Sequence, residues 1–352
     1  MTHQELPSYD QAPAGAIRFN TDSRKLEVYT GGPVGYGTLP NGQWMQVDSF
    51  TPDIATGGTR GIVMGGYVAP VSINTIEYIT IDTTGNAIDF GDTTTVKRSA
   101  GALASSTRGV FAGGSPGQNV IDYITISITG NAIDFGDLHA AYSSTAGSAT
   151  ETRGLTNGGY ASGNINVINY ITIASTGDSN DFGDLTEAKD TPFAFTSSTR
   201  GIIGGGTQDP PFLNGIDFVT VSTLGNAASF GDLSAAKGNG GGCSNSTRGL
   251  FGGGTTNPGA AGDRSNTIEY ITIATLGNAI DFGDLTQARQ TFGSGSSKTR
   301  GFWAGGLNGP SPAEANIIDY VQIPSLGNAI DFGDLTVARR QTCATSNGHG
   351  GL

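Results

Sequence analysis

The segment TRGVFAGG, Thr107 to Gly114, returns in altered form along the chain, with copies beginning at Thr59, Thr107, Thr152, Thr199, Thr247 and Thr299. Neighbouring copies start 45 to 52 residues apart. Self-similarity at that period marks a propeller or a solenoid, where one unit is stacked repeatedly because none can bury its apolar face alone. Each copy is followed by a strand-like IxY segment and then by a GNAxDFGD-type segment, so the whole interval repeats.

Each interval divides into four strand-sized pieces. In the second unit these are Ser99 to Ser105, Gly109 to Gly114, Val120 to Ile126 and Asn131 to Leu138. The links STRG and TxGN are turn-length and carry residues that tolerate turn geometry. Four short antiparallel strands repeated six times predict an all-β, six-bladed propeller. In Ile76 to Ile81 both faces are apolar beyond the second residue, as a strand buried between two blades requires. The first pieces, SAGALASS, STAGSATE, GNGGGCSNS and QTFGSGSS, are built from small residues suited to crowding around an axis. The 57 glycines follow no G-X-Y period and belong to turns and tight packing.

After Ala329 to Leu335 the chain continues as TVARRQTCATSNGHGGL, which follows the pattern of a first piece and stops before any second one. Its expected place is the inner position of the first blade, whose other pieces span Gly61 to Asp92. Such closure removes two sheet edges. The propeller is therefore expected over residues 51–352. Residues 1–50 read as a separate β-module: a hairpin of IRFN and KLEVY around Thr21 to Arg24, a Gly/Pro-rich link from Gly31 to Gly42, and a third strand, QWMQV, with Trp44 placed to cover the apolar side.

Two resemblances follow. GAIRFNTDSRKLEVYTGG with QWMQV resembles the short β-modules of tail-fibre and other structural proteins of tailed phages, particularly marine ones. That implies a virion protein, assembled in the host cytoplasm, with the module as an attachment or trimerisation point and other virion proteins as partners. The repeat, over about residues 59–348, resembles the kelch repeat. It is carried by the doublets Gly65-Gly66, Gly113-Gly114, Gly158-Gly159, Gly205-Gly206, Gly253-Gly254 and Gly305-Gly306, and by the aromatics Tyr78, Tyr123, Tyr170, Phe218, Tyr270 and Tyr320. Where the kelch pattern has Trp in the fourth strand, this chain has Phe90, Phe135, Phe182, Phe230, Phe282 and Phe332, which marks a divergent subfamily.

Composition excludes several functions. The formal charge is −12 with 18 basic residues and no basic cluster, so the chain lacks the footprint of a nucleic-acid binder. It has no apolar run of membrane-spanning length, and MTHQELPSYD is too polar for a signal peptide. Cys243 and Cys343 read as two small buried thiols rather than a disulfide.

The repeated acids Asp92, Asp137, Asp184, Asp232, Asp284 and Asp334 have two readings. One is calcium ligation; the other, which we favour, is that they accept turn N–H groups or pair with the repeated Arg60, Arg108, Arg153, Arg200, Arg248 and Arg300. His3, His139 and His349 stand in unrelated contexts, unlike the paired histidines of an oxidase-type copper propeller. SxDxGxTW boxes of sialidases, GxSxG, HExxH, P-loop and CxxC patterns are all missing. No enzymatic activity, metal or cofactor is expected.

In an up-and-down blade, one face of the disc carries the tight turns and the other the links YVAPVSIN, SPGQN, YASGNIN, TQDPPFLN, TTNPGAAGDRSN and LNGPSPAEAN. Variable loops on a rigid scaffold are where recognition concentrates. Asp209, Pro210, Pro211, Phe212, Asp263, Arg264 and Glu314 are the candidate ligand-binding residues, with Phe212 as an apolar platform; the plainer alternative is tolerated insertions. The expected role is a non-enzymatic virion component displaying the propeller to a host-surface glycan or protein. The alternative is a cellular or secreted kelch-type interaction scaffold.

Overall fold

The computed structural model describes residues 15–20, 25–29, 44–46, 58–208, 211–256, 263–309 and 313–352. The chain divides into two compact units, Met1–Pro52 and Asp53–Leu352. Among the described residues the larger unit holds six four-stranded antiparallel sheets, whose inner strands contact one another in a closed cycle. It is a six-bladed β-propeller.

Closure occurs as the sequence predicts. Cys343–Ser346 is the inner strand of the first blade and pairs with Arg60–Met64, with Cys343 opposite Met64 and Ser346 opposite Gly61. Both cysteines are free and buried. Burial pushes the Cys343 thiol up to about 12, partly countered by a hydrogen bond from the Ala100 amide.

The core lies between blades. Ile62, Met64, Ile76 and Phe90 of the first blade pack against Phe111, Ile124 and Ile126 of the second, and the other interfaces repeat the arrangement. This is why the third strands carry buried apolar residues on both faces, apart from the one polar position occupied by Glu77 and its equivalents.

Inner strands approach too closely for most side chains: a Cβ on Gly147 would stand 2.0 Å from the Ala102 carbonyl oxygen. The fourth blade departs from the small-residue expectation, because its inner strand Phe193–Thr196 carries two buried phenylalanines. The fifth blade yields the space. Cβ atoms on Gly240 and Gly249 would lie 2.2 Å and 1.9 Å from the Phe193 and Phe195 rings. The run GNGGGC is thus the complement of FAFT.

The DFGD segments form the outer strands, and each contains a bulge opposite the third strand. Their glycines take φ of 144° to 159°, and a Cβ on Gly91 would lie 2.4 Å from the Gly130 carbonyl oxygen of the next blade. Close approach lets the next blade's GNA turn cap the edge. Gly130 N–H donates to Phe90 O at 2.8 Å, Ala132 N–H to Asp92 O at 2.7 Å, and the pattern continues to Gly85 with Phe332. Every outer edge is thereby covered, which blocks edge-to-edge association.

Candidate functional site

On the tight-turn face each blade carries one column of three side chains. Arg108 lies 4.7 Å over the Tyr123 ring, Tyr123 meets Phe135 edge-on at 5.7 Å, and Phe135 is buried. The Arg108 guanidinium also donates to the Ile173 carbonyl of the next blade at 2.9 Å. Equivalent bonds run from Arg60 to Ile126, Arg153 to Val221, Arg200 to Ile273, Arg248 to Ile323 and Arg300 to Ile81, at 2.7 to 2.9 Å. The last joins the sixth blade to the first. Phe90, Phe182, Phe230, Phe282 and Phe332 occupy the same buried station below Tyr78, Tyr170, Phe218, Tyr270 and Tyr320.

This geometry corrects the expected pairing of those arginines with Asp92 and its equivalents, since the guanidinium groups are committed to carbonyls and aromatic faces. The aspartates act through their backbone instead. Asp92 N–H donates to the Asn131 side chain at 3.0 Å and Asp334 N–H to Asn86 at 3.1 Å, across each blade boundary. Among the described residues no group of three or more His, Cys, Asp or Glu is placed to hold a metal ion.

Near the axis on the opposite face, Ser99, Ser144, Thr191, Asn239, Thr291 and Gln341 all adopt left-handed φ of 48° to 60°. Two are threonines, for which this conformation is unusual. The compensation is a closed ring of backbone hydrogen bonds at 2.6 to 3.1 Å, each amide donating to the carbonyl of the preceding blade, with Ser99 donating to Gln341. Below the ring lie axial cavities of about 120 Å³ and about 40 Å³, the deeper one ending at His349.

Residues 347–352 close the turn-face end. His349 Nε2 donates to Ala104 O at 2.9 Å, and Nδ1 accepts from Gly351 N–H at 3.2 Å. That pair of bonds fixes a neutral imidazole. Burial lowers the His349 pKa, partly offset by the Ala104 carbonyl and the Glu151 charge. Small residues are needed here: a Cβ on Gly351 would lie 2.0 Å from Ala149 O.

Between these faces five blades carry a buried ion pair. The pairs are Lys97–Asp122 at 2.6 Å, Lys189–Asp217 at 3.0 Å, Lys237–Glu269 at 2.7 Å, Arg289–Asp319 at 2.5 Å and Arg339–Glu77 at 3.1 Å. In the third blade Tyr142 stands two residues before the ring residue Ser144, where the other blades have the cation. Asn169 replaces the acid, and both side chains are buried. The two partners change together, as expected when a lone buried charge is costly. Burial lowers the Arg289 and Arg339 pKa values, only partly offset by Asp319 and Glu77. For Glu269 burial acts upward, but Lys237 and the Ser234 bonds outweigh it and the net direction is down.

The loop face combines a constant backbone with varying side chains. In every blade the residue after the Gly-Gly doublet forms an antiparallel bridge with the residue before the left-handed ring. The bridges are Tyr67 with Arg340, Ser115 with Arg98, Tyr160 with Ser143, Thr207 with Asp190, Thr255 with Gly238, and Leu307 with Gln290. These twelve positions share one backbone frame while their side chains range from Tyr, Arg and Leu to Ser, Thr, Asp, Gln and Gly.

The candidate residues sort as follows. Asp209 and Pro210 lie outside the described residues, Pro211 is exposed, and Phe212 is buried at 8% exposure. Phe212 bridges back to Thr207 and sits above Gly238, so it supports its loop and is no platform. Asp263 accepts through its carbonyl from Thr256 N–H at 3.1 Å, while Arg264 and Glu314 bridge to Thr255 and Leu307. Glu314 approaches the Arg340 guanidinium at 3.8 Å. Burial, followed by the charge of Arg340, lowers the Arg264 pKa.

A basic pocket near Arg340 was not foreseen. Arg98 and Arg340 lie 4.4 Å and 5.0 Å over the ring of Tyr67. The adjoining cavity of about 360 Å³ is lined by these three with Gln290, Thr291, Leu307 and Gln341. The link position reads Arg98, Ser143, Asp190, Gly238, Gln290, Arg340 in successive repeats, so alignment on that column shows two neighbouring arginines. Comparison with protein-family models gives no match, and comparison with curated proteins gives none. The chain stands on its own geometry.

The smaller unit, taken separately, is a three-stranded sheet of Ile17–Asn20, Lys25–Tyr29 and Trp44–Gln46. Register places Trp44 opposite Tyr29, on the face that carries Glu27 and Arg18. There Arg18 pairs with Glu27 at 2.7 Å and lies 4.3 Å over Trp44. Hydrogen bonds from Asn20 and Arg18 hold the Glu27 carboxyl below its ordinary value. Trp44 therefore does not cover the apolar side, correcting the expectation. Ile17 and Phe19 on the other face are 64% and 61% exposed. The expected turn at Thr21 to Arg24 and link from Gly31 to Gly42 lie outside the described residues.

Proposed function

We propose that the protein is a non-enzymatic structural component of a tailed-phage virion, in a tail fibre, capsid fibre or decoration, and that its propeller displays a binding face to a host-surface glycan or protein. The single observation carrying the binding role is the contrast between the two faces. The turn face is built from near-identical columns and closed by residues 347–352. The loop face mounts different side chains on one repeated backbone bridge, the arrangement expected of a recognition surface on a rigid scaffold.

The virion assignment rests on the resemblance of Gly15 to Val47 to phage β-modules. The exposed Ile17 and Phe19 suit a module that anchors to other virion proteins or trimerises, burying apolar surface worth about 25 cal/mol per Å². Replacing Gln208 to Leu213 and Asn257 to Arg264 with short Gly/Ser linkers is expected to abolish adsorption of particles to the host while thermal unfolding stays cooperative. Unchanged adsorption would overturn the binding role. Purified particles lacking this chain by mass spectrometry would overturn the virion role.

A further inference from the structure

We propose that the pocket formed by Tyr67, Arg98 and Arg340 on the loop face binds an oxyanion, a carboxylate, sulfate or phosphate, carried on a sugar-sized polar ligand. This rests on reading the loop face as the binding face, and it names the chemistry that face recognises.

Both guanidinium carbons lie within 5.0 Å of one ring centroid, so they are at most 9.4 Å apart, the sum of 4.4 Å and 5.0 Å. That is about one Debye length at physiological salt, so the two charges repel each other in the free protein. One carboxylate, Glu314 at 3.8 Å from Arg340, offsets part of this. A local cationic excess is anomalous in a chain of net charge −12, and an anion held in the cavity that both arginines line relieves it. Guanidinium groups match planar oxyanions through paired N–H donors.

Preorganisation supports binding. Arg340 is held by two backbone hydrogen bonds with Tyr67, at 2.7 and 3.1 Å, and Arg98 by two with Ser115, at 3.3 and 2.8 Å. Stacking on Tyr67 orders both side chains, and Arg98 also reaches the Ser72 hydroxyl at 3.4 Å. Little conformational freedom remains to be lost on binding. The cavity of about 360 Å³ falls at the small end of ligand sites, and Gln290, Gln341 and Thr291 in its lining supply amides and a hydroxyl suited to sugar hydroxyl groups. The negative field of the whole chain disfavours a long polyanion and leaves a single anionic group as the fitting ligand.

The test is calorimetric titration of the full chain with glucuronate, glucose 6-sulfate, glucose 6-phosphate, glucose and an acetylated Asp-Glu peptide. At least one charged sugar should bind tenfold or more tightly than glucose, and the three anions distinguish which oxyanion is preferred. Arg98→Gln and Arg340→Gln should each weaken it at least tenfold without changing elution volume or melting temperature. Should either variant unfold, Glu314→Gln serves in its place: removing the competing carboxylate should tighten binding. Equal affinity for glucose and every charged sugar, preference for the peptide, or no response to these substitutions would overturn the proposal. Loss of adsorption on loop replacement without anionic-sugar binding refutes this site alone. Sugar binding with unchanged adsorption refutes the host-attachment reading and leaves the site standing.

Discussion

Replacing Lys189 with Met strips the cation from a pair whose side chains are 1% and 3% exposed, leaving Asp217 buried with, among the described residues, Thr186 Oγ1 donating to its carboxylate at 2.6 Å. At 3.0 Å and an effective dielectric near 20, the lost attraction is about 5 kcal/mol. Desolvation of both ions costs several kcal/mol each, so the intact pair contributes little net stability relative to a neutral one. Breaking it is a different matter, at about 3–5 kcal/mol. Asp217→Asn alone strands the ammonium and should cost a similar amount. The double variant Lys189→Met/Asp217→Asn keeps volume and the acceptor for Thr186, and should fall within about 1.5 kcal/mol of the parent. The third repeat already does without charge at this station, with Tyr142 standing in the cation's place and Asn169 in the acid's, both buried. Thermal and urea unfolding of the four proteins form a double-mutant cycle. At about 2 °C per kcal/mol for a domain of this size, each single variant should melt about 6–10 °C lower and the double variant within about 3 °C. Additive losses in the double variant, or single losses below about 1 kcal/mol, would refute the argument that these charges are retained as coupled pairs.

Two further outcomes follow from the axis and the blade boundaries. Because the folded state holds His349 neutral with a lowered pKa, its contribution is complete above the ordinary histidine value of about 6.5 and is lost as pH falls below it, since the unfolded chain then binds the extra proton. His349→Gln should flatten this acid-side decline, and an NMR titration placing the His349 pKa at or above 6.5 would contradict the buried arrangement. Gly283→Ala, whose new Cβ would meet Gly327 O at 2.5 Å, should cost more than about 3 kcal/mol in chemical denaturation. Gly277→Ala, strained in φ but facing open space, should cost about 1–2 kcal/mol, and equal losses would show that contact with the next blade is not what selects glycine.

Blade number, strand order and closure were legible in the chain because they are carried by recurrence. A motif repeated six times cannot form six separate cores, and a trailing first piece has one vacant partner. The recurrence of Phe90 and its equivalents was legible for the same reason, whereas their burial beneath the third-strand aromatics came from the packing. Pairings were not: the acids of DFGD lie near the arginines in the repeat pattern, yet Arg108 reaches Ile173 in the next blade. Sequence distance says nothing about which neighbour a blade's rotation brings within reach. Joint replacement of cation and acid by Tyr142 and Asn169 was the available signal for the ion pairs.

Phe212 shows the limit most clearly. As an aromatic residue in a proline-stiffened loop it has the composition of a contact residue, but the bridge to Thr207 turns it inward over Gly238. Conversely, Arg98 and Arg340 are separated by 242 positions, 340 minus 98, and become a site only because ring closure sets the link into the first blade beside the link out of it, with Tyr67 between. The sequence by itself determined the repeating scaffold, because backbone geometry and small-residue packing are local and repeat. Tertiary structure alone decided which side chains face one another across the axis and the blade boundaries, because those meetings depend on the rotation between blades and the closing of the ring.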